Sequence, residues 1–157
     1  MIALLVLSLI VGPSQPPSGA PAAALLPTTA ASAVFEDSGS TNIGGYSIAV
    51  EPNGTATVSA GGKLVAGSVA PATVKWLFGH LAAAGPLDKL PVEPCMKSAS
   101  FGTTVRISWH GARSPDLGCG AGPTANELLR TFQAIKLQLH VEPTLRAHGA
   151  PMPAASP

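Results

Sequence analysis

Between residues 46 and 60 apolar and polar side chains alternate with the period of a pleated strand. Tyr46, Ile48 and Val50 are separated by Ser47 and Ala49, and Ala56, Val58 and Ala60 by Thr57 and Ser59. Glu51-Pro52-Asn53-Gly54 joins the two runs; proline presets φ and Asn-Gly accepts positive φ, so the segment predicts a β-hairpin with one apolar face. Asn53-Gly54-Thr55 also fits an N-glycosylation acceptor, but the turn already accounts for it. Gly61-Gly62 breaks the strand, and residues 63–66 predict a short third one.

The period then changes. Val74, Leu77, Phe78 and Leu81 fall on one stripe of a helix over 71–84, opened by Pro71 and stopped by Gly85-Pro86. Trp76 and His80 lie on its opposite side, one turn apart, where a loop or terminus is expected to cover the tryptophan; left open, the pair is a contact site. Thr103, Val105, Ile107 and Trp109 alternate again, His110-Gly111 offers a tight turn, and residues 112–117 return with Pro115 at an edge. Thr124-Ala125-Asn126-Glu127 has the capping-box pattern ahead of Leu128, Phe132, Ile135 and Leu139, with His140 at the negative pole and Pro143 as a stop. The expected fold class is α+β: an antiparallel sheet of two β-hairpins covered on one face by two helices, in ββαββα order.

Both ends of the chain differ from this middle. Ile2 to Val11 is an apolar run with the length of a signal-peptide core and about half that of a membrane span. Residues 1–22 are therefore expected to be an export signal, with Ala20-Pro21-Ala22 favoured over Ala31-Ser32-Ala33 for cleavage, and no stable membrane span after its removal. Residues 23–36 are expected to be a Pro/Ala-rich linker, 37–142 a single domain and 143–157 a disordered tail. All eight acidic residues and eight of the nine basic ones fall between residues 34 and 142. A formally neutral domain without a basic run argues against nucleic acid as a partner.

Cys95 and Cys119 are the only cysteines, and the segment between them gathers Lys97, Ser98, Ser100, Arg106, His110, Arg113 and Asp116. In an exported chain the two thiols are expected to form one disulfide, fastening the second hairpin to the loop before the last helix. The histidines stand at 80, 110, 140 and 148 without metal-ligand spacing, and no nucleotide or redox motif is present, so no metal or cofactor is expected. Ser98 or Ser100 with His110 and Asp116 supplies the parts of a serine triad, but no G-x-S-x-G or S-x-x-K pattern accompanies them. The side chains best placed for binding are Trp76, His80, Lys97, Arg106, His110 and Arg113, although a solvated strand face is the simpler account of the polar set, since charges on one face of a half-buried hairpin need no functional reason.

The succession of apolar leader, loose linker, GGYSIAVEPNGTATV hairpin, helix, PCMKSASFGTTVRISWHGARSPDLGC and final helix resembles small exported proteins of GC-rich bacteria whose function is uncharacterised. It is similar in size and class to small bridged protease inhibitors and periplasmic binding modules. The resulting expectation is a secreted, periplasmic or cell-envelope monomer that binds or inhibits a protein or cell-envelope partner without catalysis. A small secreted serine hydrolase and an envelope structural protein are the alternatives.

Overall fold

A computed structural model describes Thr29 and residues 31–144. Chain order is β1 (Ala33–Asp37), β2 (Tyr46–Val50), β3 (Thr55–Ala60), β4 (Lys63–Ser68), α1 (Pro71–Ala83), β5 (Val105–Trp109), β6 (Ala112–Arg113) and α2 (Pro123–Gln138). The strands form one six-stranded sheet in the order β4-β3-β2-β1-β5-β6, with every pairing antiparallel. The α+β class, the antiparallel sheet, the two helices and the Cys95–Cys119 disulfide follow the sequence pattern. The expected signal peptide, 1–22, lies outside the described residues.

The main departure is β1. Ala33, Phe35 and Asp37 point inward and Val34 and Glu36 outward, and the strand pairs with β2 on one side and β5 on the other. The last four residues of the expected linker are thus in the middle of the sheet. Alternation over five residues, begun by alanine and ended by two acids, is too short and too polar to stand out from the Ala/Ser/Thr run before it. Just upstream, Thr29 and Ser32 donate hydroxyl hydrogen bonds to the Glu51 carboxylate at 2.8 and 2.6 Å. These bonds, Ser32 first, hold the Glu51 pKa below the ordinary value against a small opposing effect of burial. At the other end Gly44 N–H donates to the Thr144 carbonyl at 2.8 Å, so the first residues of the expected tail are also docked.

Register lines up the core. Phe35, Ile48 and Val58 are cross-strand neighbours, and Ile107 flanks Phe35 from β5. Phe132 of α2 stacks on Phe35 with centroids 5.0 Å apart and lies 6.2 Å from Tyr46. From α1, Val74, Leu77 and Leu81 are buried, and Phe78 leans toward Trp109 at 6.4 Å. The other sheet face carries Glu36, Ser47, Ala49, Thr57, Ser59, Arg106, Ser108 and Arg113. Val34 and Leu64 share that face and Ala49 is buried on it, but most of its groups are polar or charged, as the open face of an antiparallel sheet permits.

Turns follow local chemistry with two corrections. Gly54 takes φ 89°, and Asn53 Oδ1 accepts from Thr55 N–H at 2.9 Å, as the hairpin corner requires. The predicted capping box of α2 is absent: Gly122, at φ 87°, precedes the helix and Pro123 opens it, which makes Thr124 an ordinary first-turn residue. At its far end His140 takes φ 53°, with His140 N–H on the Leu137 carbonyl and Val141 N–H on the Lys136 carbonyl. This is a Schellman ending, in which His140 terminates the helix through its backbone.

A braced loop as candidate functional site

Twenty-one residues, 84–104, connect α1 to β5, and their second half is fastened at several points. Cys95 is bonded to Cys119. Lys97 pairs with the Asp116 carboxylate and also donates from Nζ to the Thr103 carbonyl at 2.5 Å. Loop 38–45 supports the segment from behind: Ser40 Oγ and Asn42 N–H donate to the Ser100 carbonyl at 2.7 and 3.2 Å, and Thr41 Oγ1 to the Ala99 carbonyl at 3.0 Å. Despite this, two large apolar side chains project outward, Met96 at 102% relative exposure and Phe101 at 59%.

Two carboxylates anchor the base. Asp37, buried at the end of β1, accepts from Gly39 N–H at 3.0 Å and from Thr103 Oγ1 at 3.3 Å, tying both loops to the sheet. Asp116 accepts from Val105 N–H at 3.2 Å and Gly118 N–H at 2.9 Å as well as from Lys97. Burial works to raise its pKa, but the Lys97 hydrogen bond, the two amides and the Lys97 charge together outweigh it and hold the carboxyl below the ordinary value. Beside Asp37, the Tyr46 phenol is pushed up, by burial first and then by the Asp37 charge. Although that carboxyl is close enough to oppose ionisation, the Tyr46 hydroxyl makes no well-formed hydrogen bond with it.

The six predicted binding residues do not converge. Lys97 is spent on bracing. Arg106 and Arg113 stand on the open sheet face, Arg113 paired with Glu36 and Arg106 opposite that same glutamate in register. His110 forms the two-residue β5–β6 turn with Gly111, at φ 48° and 77°, and its ring lies 4.2 Å from that of Trp109. Trp76 and His80 are together on the outer side of α1, ring centroids 5.0 Å apart. Trp76 stays 59% exposed instead of being covered, and lines a groove of about 450 Å³ with Thr73, Glu127 and Arg130.

The serine-triad grouping is also separated. Asp116 touches the first residue of β5, whereas His110 follows the last, so the strand puts roughly 15 Å between them. Ser98 Oγ accepts from Phe101 N–H at 3.3 Å, within its own turn. Among the described residues no group of three or more His, Cys, Asp or Glu side chains could hold a metal ion. The exposed pair Met96 and Phe101 was missed because reading for polar chemistry passes over an apolar residue in a polar segment; its position beside Cys95 was the available signal. Comparison with protein-family models, curated protein sequences and solved structures finds no match to this chain.

Proposed function

We propose that the chain is an exported, non-catalytic binding module that engages a protein or cell-envelope partner through the loop 96–101. The observation that carries this reading is the exposure of Met96 and Phe101 on a segment fastened by the bridge, by Lys97–Asp116 and by loop 38–45. Apolar groups held outward by a pre-ordered backbone lose little conformational freedom on docking, which is what a binding surface needs. The apolar run at residues 2–11 and the disulfide fit an oxidising destination outside the cytoplasm. Cleavage near residue 22 leaves β1 whole, whereas cleavage after Ala33 would remove its fully buried first residue.

Capture from the exported fraction tests the reading with two variants. Phe101→Asp should lose the partner that the unmodified chain retains, and His110→Ala should keep it, both melting as the unmodified chain does. Turnover of ester or peptide substrates that His110→Ala abolishes without a change in folding would overturn the reading in favour of a hydrolase.

A further inference from the structure

The strand of chain that leads through the bridge has a geometry of its own. From Pro91 to Ser98 it runs without a turn or bend. Its first half is clipped to the segment before α2: Val92 pairs with Gly120, Glu93 N–H donates to the Cys119 carbonyl at 2.9 Å and Ala121 N–H to the Pro91 carbonyl at 2.9 Å. The disulfide follows at Cys95, and Lys97 is tied down by Asp116 and Thr103. Between those two fastenings Met96 projects with its side chain fully in solvent. The backbone N–H and C=O groups of Cys95 and Met96 bond to no described residue.

Protease clefts accept a chain in this form. An extended segment pairs through its main chain with the walls of the cleft while one side chain enters the primary specificity pocket. A flexible segment is bound weakly, cut and released. A segment fastened on both sides of the projecting residue needs little ordering on binding, and its two halves stay in place around the scissile position. We propose that this chain inhibits a serine protease, with Met96 inserted in an apolar specificity pocket. The proposal rests on the reading of loop 96–101 as the binding surface and names its partner.

The choice of pocket follows from side chains. Methionine is unbranched and apolar, and adapts to a hydrophobic slot. Lys97 is the only basic group from residue 91 to 101, and its ammonium is turned back onto Asp116 and the Thr103 carbonyl, so a pocket built around a carboxylate has no cation to receive. Phe101 sits on the turn beyond, where Gly102 N–H donates to the Ser98 carbonyl at 2.7 Å, and would meet the enzyme outside its cleft.

The full chain with its bridge intact is to be titrated against subtilisin, chymotrypsin and trypsin, with small chromogenic peptides reporting residual activity. Inhibition of subtilisin or chymotrypsin with trypsin left active is expected. Met96→Glu should weaken it by more than about 30-fold, as loss of a central anchor does. Met96→Lys should transfer inhibition to trypsin, and Ser59→Ala, on the open sheet face, should change nothing. The proposal is overturned by failure to inhibit any of the three at micromolar concentration, by inhibition insensitive to Met96→Glu, or by rapid complete cleavage after Met96. If it fails while Phe101→Asp still releases the captured partner, the broader binding reading survives; if both fail, the loop is not a binding surface.

Discussion

The layer in which Phe132 lies against Phe35 and the end at which Asp37, Lys97 and Cys119 meet are held by opposite means. In the first, stability comes from many apolar contacts between regular elements, none of them directional. In the second, about twenty residues of irregular chain are held by one covalent bond, one ion pair and a handful of hydrogen bonds. Apolar packing hides its side chains as it stabilises them. Point fastenings leave them outside, so the polar end can show Met96 and Phe101 to a partner without unfolding.

The sharpest test of this contrast is Phe132→Ala. It removes a fully buried ring from the aromatic stack and should cost about 3–5 kcal/mol in denaturant unfolding, with the whole domain lost in one transition. A cost below about 1 kcal/mol would move the centre of the core elsewhere. Replacing both cysteines by serine should cost about 3.5 kcal/mol by loop entropy for a separation of 24 residues. An unchanged melting temperature in dithiothreitol would contradict a fastening role for the bridge. Asp37→Asn should cost about 1–3 kcal/mol, because Gly39 N–H and Thr103 Oγ1 keep only a weaker acceptor. Hydrogen exchange should then rise in both loops before it rises in β2 or β3.

Acid offers a milder probe. Asp116 titrates below its ordinary value of 3.8 in the folded chain, so its ionised form favours folding. That contribution is complete above 3.8 and is lost as pH falls through the lower folded value, which should loosen residues 96–103 in acid. Asp116→Asn should abolish this acid response and show the loosened loop already at neutral pH, in hydrogen exchange. The smallest effect should come from Met96→Ser and Phe101→Ser, each within about 0.5 kcal/mol in thermal unfolding, because neither side chain is buried. A larger loss from either would mean that the projecting groups are structural.

Hairpin β2–β3, both helices and β5 were legible because their signals are local. Alternation from Tyr46 to Ala60 and the stripes of Val74, Leu77 and Leu81 or Leu128, Phe132 and Ile135 need only neighbouring residues to be seen. The disulfide was legible for a different reason, since two cysteines leave one pairing. The start of α2 was misplaced by two residues because Gly122 and Pro123 define it through backbone conformation, which outranks the side-chain pattern of Thr124 and Glu127.

By itself the sequence determined the class of fold, the period and boundaries of most elements, and the single covalent link. The tertiary structure alone decided that β1 is a central strand, that Asp37 anchors two loops, and that the polar residues of the 95–119 segment scatter to three places instead of forming one patch. Period and turn chemistry act over a few residues, whereas Asp37 reaches Thr103 across 66 positions and Ser40 reaches Ser100 across 60. Contacts of that separation are set by which strands lie side by side, and one short strand beginning at Ala33 determines it here.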